Sequence, residues 1–188
     1  MTAYLDTDRL TLRHFTADDA DLLIELNSDP EVLRFLTGGE PIPAEVIRER
    51  GLPNILLGYR LWDGRLGLFA AFEKESGAFI GWFMLSPEDE DSPVDVVEIG
   101  YRLRKAAWGR GYATEGAQAL LAKAFTELGV QTVWAETMTV NEASRRVLEK
   151  IGMTQTQTLE TPEDMLVVEG SELGGVHFEM TADQWSRR

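Results

Sequence analysis

The sequence has 188 residues, 44% of them hydrophobic and 27% charged, which predicts one globular domain over residues 1–188 and excludes a disordered chain. Its formal net charge of −14 argues against nucleic acid, whose phosphates it would repel, and the absence of cysteine excludes disulfides, thiolate metal ligands and a cysteine nucleophile. No run approaches the roughly 18 apolar residues of a membrane span, and Met1 to Asp6 lacks the basic and apolar regions of a signal peptide, so a cytoplasmic protein with no membrane contact is expected.

Arg9 to Phe15 alternates apolar and polar residues as a half-buried strand does, and Thr16 with Asp19 resembles a helix cap ahead of Leu22, Leu23 and Leu26. Asp29-Pro30 restarts a helix. After the Thr37-Gly38-Gly39 break, Pro43 opens another, short helix carrying Val46 and Ile47, a candidate substrate lid. Leu66 to Phe72 and Ala78 to Ser86 are apolar runs whose separation by Glu73 to Gly77 predicts a hairpin. The acidic loop Pro87 to Pro93 is too charged to be buried and is expected in solvent, either near the mouth of a site or as a plain connector. Val94 to Leu103 reads as a strand with Glu98, Gly100 and Arg102 on one face and Ile99, Tyr101 and Leu103 on the other. From Ala113 the period becomes helical, through Ala117, Leu120, Leu121, Ala124 and Leu128, until Gly129. Val130 to Met138 is a strand, and Asn141 caps a helix whose Val147, Leu148 and Ile151 face inward before Gly152. Val176 to Met180 closes the sheet, and Thr181 to Trp185 forms a terminal turn. Strands and helices in alternation, without repeats, predict a mixed α/β domain.

A strand ending near Leu103, a loop with Gly109 and Gly111, and a helix starting near Ala113 make an anion site by geometry. The first N–H groups of a helix lack internal partners, the dipole is positive there, and glycine allows close backbone approach. Glycines in a strand-to-helix turn also serve as turn residues alone, but Arg104, Lys105 and Arg110 place three cations around this loop in an otherwise acidic chain. No Gly-Lys-Ser/Thr follows the glycines and the three-glycine dinucleotide pattern is not met, which sets aside a kinase, NTPase or dehydrogenase. A cofactor with a pyrophosphate and a long thin arm remains.

Five stretches then stand in order along nearly the whole chain: Thr7 to Arg13, Phe79-Ile80-Gly81-Trp82, Glu98-Ile99-Gly100-Tyr101, Trp108 to Glu115 (WGRGYATE), and Asn141 to Met153 (NEASRRVLEKIGM). The series resembles the GNAT family of N-acetyltransferases, and within it the RimJ/RimL-like ribosomal-protein N-terminal acetyltransferases. The resemblance implies an α/β (α+β) GNAT-like acyl-CoA acyltransferase fold: a central mixed, mostly antiparallel sheet with a splay between two parallel strands, flanked by helices. It implies acetyl-CoA as co-substrate. The loop of Gly109, Arg110, Gly111, Tyr112, Ala113 and Thr114, with Arg104 beside it, would hold the pyrophosphate. The splayed strand through Ile99, Tyr101 and Leu103 would bond the pantetheine arm, and Asn141 would touch that arm from the opposite side. Many family members carry a tyrosine in the last helix of the series that protonates the leaving thiolate; the matching position here is Leu148. Ser144 is the nearest hydroxyl, and a serine in this region serves that role in the RimJ/RimL-like group. The implied reaction is direct acetyl transfer to a primary amine, either a protein N-terminal α-amine or a small-molecule amine. The alternative is an acetyl-CoA-binding sensor or scaffold of the same fold without turnover.

An amine attacks a thioester only when neutral, so a base is needed at pH 7. Glu98 lies on the strand beside which the thioester would sit and could take that proton through a water, its pKa raised by partial desolvation; it could also simply end a strand or pair with Arg102. Glu136 is the second candidate base, set against a solvated strand-end charge. Backbone N–H groups near Tyr101 could polarise the thioester carbonyl. Ser144 could donate to the departing sulfur or be a plain first-turn residue. His14 and His177 stand apart from carboxylates at ligand spacing, so both read as structural and no metal is expected. Trp62, Phe69, Phe72, Phe79, Trp82 and Phe83 could line an acceptor pocket or belong to the core. The net charge either serves solubility or slightly favours a cationic acceptor, which residues 37–62 and the acidic loop would choose, and a monomer or homodimer is expected.

Overall fold

The computed structural model describes residues 2–161 and 168–188. The alternation at the start of the chain becomes β2 (Leu10–His14), joined antiparallel by a two-residue strand, β1 (Leu5–Asp6). The cap expected at Thr16 forms around Asp19, whose carboxylate accepts from the Thr16 N–H at 2.7 Å and from its hydroxyl at 2.9 Å, leading into α1 (Ala20–Leu26). Arg13 grips the same carboxylate through two nitrogens, at 2.7 and 2.8 Å, and these hydrogen bonds, with those from Thr16, hold the Asp19 carboxyl below the usual range. Pro30 occupies the first position of α2 (Pro30–Thr37), where its missing N–H is harmless, and Asp29 accepts from the Glu31 N–H at 3.0 Å.

The short helix expected after Pro43 is part of a longer one. α3 (Ala44–Val46) passes through a π-helical stretch, Ile47–Gly51, into α4 (Leu52–Leu61). Pro53 and Gly58 hide α4 in the sequence, because both weaken a helical pattern, yet Pro53 falls in the first turn and Gly58 is covered by the Trp62 ring. The expected hairpin is β3 (Gly67–Glu73) with β4 (Phe79–Ser86), followed by β5 (Val96–Leu103), α5 (Tyr112–Lys123), β6 (Thr132–Met138) and α6 (Glu142–Lys150). β7 (Thr154–Leu159) was not anticipated: Thr-Gln-Thr-Gln-Thr has no apolar alternation because the strand lies at the sheet edge with all five residues exposed. β8 (Gly175–Thr181) and a short helix, α7 (Ala182–Ser186), where a turn was expected, complete the described chain.

The eight strands form one sheet in the order β1-β2-β3-β4-β5-β6-β8-β7, antiparallel everywhere except between β5 and β6. Each face carries its own core. Leu12, Phe69, Phe83 and Ile99 pack against Leu120, Leu121 and Leu148 of α5 and α6. Phe15, Ala70 and Phe79 pack on the other face against Leu23, Leu26, Ile47 and Leu52 of the α1–α4 region. A Cβ on Gly116 would meet the Phe83 ring at 2.3 Å, so the glycine is what lets α5 settle on β4. Phe69, Phe83 and Phe79 are at most 5% exposed and belong to these cores, which removes them from the aromatic pocket expected for the acceptor. Among the described residues no helix is long and apolar enough to cross a membrane.

Candidate active site

β5 and β6 pair through Val96–Thr132, Val97–Val133 and Glu98–Trp134 and then part. β5 continues to Leu103 against β4, with Leu103 opposite Gly81, while β6 continues to Met138 against β8, with Met138 opposite Gly175. Each strand follows its antiparallel neighbour, so from Ile99 onward the β6-facing backbone groups of β5 have no strand partner. Such groups need hydrogen bonds from elsewhere, and an extended amide-bearing arm is of the right shape to supply them. This is the splay expected of residues 99–103.

The loop after β5 runs from Arg104 through a 3-10 turn, Lys105–Ala107, to Gly111, and the Trp108 indole N–H ties it back to the Leu103 carbonyl at 2.8 Å. Gly111 is the residue before α5 and has φ of 82°, a left-handed conformation that a side chain strains. No side chain caps the helix, which leaves the N–H groups of its first turn, including those of Tyr112, Ala113 and Thr114, for an external acceptor. The three cations are a different matter. Arg104 pairs with Glu25 at 2.7 Å, Lys105 with Glu31 at 3.1 Å and Arg110 with Glu73 at 2.7 Å. The positive charge read from the sequence is therefore offset by three carboxylates, and the capacity to hold an anion rests on backbone amides and the helix dipole. Tyr112 is buried and its hydroxyl donates to Glu73, so only its backbone remains for a ligand.

A further set of contacts braces the loop from the start of the chain. Glu115, in the first turn of α5, accepts from the Thr7 hydroxyl at 2.6 Å, the Arg9 N–H at 2.9 Å and Arg9 Nε at 2.7 Å, and Arg9 Nη1 reaches the Arg110 carbonyl at 2.9 Å. The stretches beginning at Thr7 and ending at Glu115 are thus one unit in space. A cleft of about 380 Å³ is lined by Asp8, Arg9, Glu73, Lys74, Glu75 and Tyr112, and so shares Arg9 with this bracing.

Glu98 stands at the last rung of the parallel pair, half-buried. Burial pushes its carboxyl up to about 7, and the charges of Glu136 and Glu88 push in the same direction. The pairing with Arg102 that the spacing allowed is absent: that guanidinium donates to Asn27 Oδ1 and lies over the Trp82 ring, 5.2 Å from its centroid. Beside Glu98 runs a groove of about 310 Å³ lined by Glu88, Trp134, Glu136, His177 and Glu179. Glu136 is more than a solvated charge, since it meets His177 Nδ1 at 3.0 Å and that ring stacks on Trp134. His14 is fixed by its Nε2 contact to the Gly64 carbonyl at 2.7 Å. Among the described residues no His, Asp and Glu group is arranged to hold a metal ion.

Across the splay, Asn141 caps α6 by accepting from the Ser144 N–H at 3.2 Å. Leu148, in the position where a tyrosine was looked for, is 2% exposed and sits in the core. Ser144 Oγ lies 3.1 Å from the hydroxyl of Tyr101, whose backbone alone had been assigned a part. Thr139 Oγ1 and Arg145 Nε, at the turn from β6 into α6, are buried without partners among the described residues and were also missed.

A split parallel pair, a helix start without a side-chain cap beside it, and a carboxylate poised near neutrality are what a nucleotide-linked acyl donor and a proton-losing acceptor would need. Residues 9–154 match the acetyltransferase (GNAT) domain. The chain is 33% identical to the FsC-acetyl coenzyme A-N(2)-transacetylase of Aspergillus fumigatus over 97% of its own length and 78% of that protein's. The fold is shared with RimL, a ribosomal-protein α-N-acetyltransferase solved with coenzyme A, at a TM-score of 0.78 and 16% identity over 95% of this chain and 97% of that one. It is shared too with spermidine N-acetyltransferase from Vibrio cholerae, solved with CoA and spermine, at a TM-score of 0.74 and 16% identity over 96% and 99% of the two chains. The chain belongs to the GNAT family and is an acetyltransferase that uses acetyl-CoA.

Proposed function

We propose that the protein transfers the acetyl group directly to a positively charged primary amine, with Glu98 as the base. The carrying observation is Glu98 itself, half-buried at the mouth of the β5–β6 splay with a pKa near 7. An alkylamine of pKa about 10 is protonated at neutral pH, and a carboxylate that titrates near 7 takes that proton far more readily than an ordinary one. Gly109, Arg110, Gly111, Tyr112, Ala113 and Thr114 hold the pyrophosphate through their amides. Ile99, Tyr101 and Leu103 present backbone groups to the arm, with Asn141 opposite. Glu88, Glu136 and Glu179 make the adjoining groove acidic, which suits an acceptor with positive charge.

The relatives support an amine without agreeing on one: the Aspergillus protein is named for N(2) transfer, the Vibrio enzyme for spermidine, and RimL for a ribosomal-protein α-amine. Trp108 and Ser144 support a RimJ/RimL-like reading within the family. The test is release of CoA from acetyl-CoA with polyamines, aminoglycosides and N-terminal peptides as acceptors. Turnover with a cationic amine that rises with pH through about 7 is the expected result. Tight CoA binding with no acceptor consumed would instead favour the sensor reading, to which Leu148 in place of a tyrosine lends its weight.

A further inference from the structure

A hydroxyl pair spans the splay on the side away from Glu98. Tyr101 and Glu98 are three residues apart on β5 and so project from opposite faces of the sheet. Tyr101 reaches from β5 to the first turn of α6, where its hydroxyl lies 3.1 Å from Ser144 Oγ and 3.3 Å from the Ser144 carbonyl. The Asn141 cap, through the Ser144 N–H, holds the serine in that turn. Leu148, which stands where a tyrosine would deliver a proton, is enclosed in the core and has no proton to give. An arm entering between β5 and β6 therefore ends between Glu98 on one face and the Tyr101–Ser144 pair on the other.

We infer that Tyr101 is a positioning residue that donates its hydroxyl proton to Ser144 Oγ, turning the serine's own O–H toward the departing sulfur as a hydrogen-bond donor and not as a proton source. This rests on the acetyl-CoA reading and assigns the leaving-group end of the same site. The ammonium gives one proton to Glu98, which passes it to solvent. The neutral nitrogen forms the C–N bond, the C–S bond breaks, and its electron pair goes to sulfur. The nitrogen then sheds its second proton, which the thiolate takes up. Ser144 and Tyr101 finish with the protons they began with, as their chemistry requires: burial pushes the phenol up to about 12, whereas a thiol titrates near about 8.5. Two donors in series polarise each other, so the pair stabilises the thiolate more than a lone serine does.

The quantity that reads this directly is the thiol pKa of bound CoA, followed through the pH dependence of its alkylation, which needs no acceptor amine. Tyr101→Phe, which keeps the ring that packs 6.1 Å from Phe83, should raise the bound thiol pKa by about 0.5 to 1 unit without changing CoA affinity by calorimetry. Ser144→Ala should raise it at least as far, and the double variant no further than Ser144→Ala. With any acceptor that turns over, the same variants should lower kcat on the order of 10-fold while KM for acetyl-CoA holds. CoA binding with a thiol pKa that Tyr101→Phe does not move, or a double variant that sums the two single shifts, overturns the assignment alone. A wild-type protein that binds no CoA overturns it together with the acetyl-CoA reading.

Discussion

Glu98 shows what one residue's surroundings do to its chemistry. It sits in a strand whose neighbours Val97 and Ile99 are buried on the opposite face, and it shares its own face with two further carboxylates. Raising a carboxyl from its ordinary 4.5 to about 7 carries a stability consequence with a definite sign. The folded protein holds the proton more tightly than the unfolded chain, so this residue's contribution is intact below the ordinary value and is lost as pH climbs through about 7. Glu98→Gln should therefore melt higher than the parent at pH 8 and nearly level with it at pH 5. Its kcat at pH 8 should fall roughly 100-fold, with CoA affinity kept. A variant that loses no activity, with its pH–rate limb unchanged, would take Glu98 out of the reaction.

At the scale of elements, the donor site proposed at the start of α5 rests on a helix with a glycine before it and no side-chain cap, which leaves its first amides open. Gly111→Val puts a β-branched residue at φ of 82° and a side chain toward Arg9 Nη2, which a Cβ alone already meets at 3.5 Å. The strain is about 1–2 kcal/mol, so the fold should survive while the stabilisation that CoA confers in a thermal melt disappears. Retention of that thermal shift would place the phosphates elsewhere. Around this helix start, Glu25 and Glu31 reach Arg104 and Lys105 from α1 and α2, so the loop before α5 and the helices of the opposite layer are tied together. Exposed pairs of this kind contribute little stability singly; their effect is to fix the loop.

For the whole molecule, a net charge of −14 surrounds a site whose own cations are already paired. Long-range attraction of a polycationic acceptor is screened by salt over a Debye length of about 10 Å at 0.1 M. The kcat/KM for a polyamine should fall on the order of 10-fold between low and physiological ionic strength, and that for an uncharged or singly charged amine much less. An equal, flat response for both acceptors would assign the acidic surface to solubility.

Strand alternation at Arg9–Phe15, the caps at Thr16, Asp29 and Asn141, the hairpin, and the glycine loop before α5 were all legible in the sequence, because each is written within a few residues by period, turn chemistry or capping. α4 and β7 were not: Pro53 and Gly58 blur the first, and an edge strand exposed on both faces needs no apolar period. The series of five stretches determined the family. Tertiary structure decided what those residues do to one another. Only the diverging partners of β5 and β6 end their pairing at Glu98. Only contacts between distant segments pair Arg104, Lys105 and Arg110 with carboxylates and lay Tyr101 against Ser144. Charge and proton affinity act through space, and so a sequence names the groups of this site while the fold sets their charge, their partners and their reach.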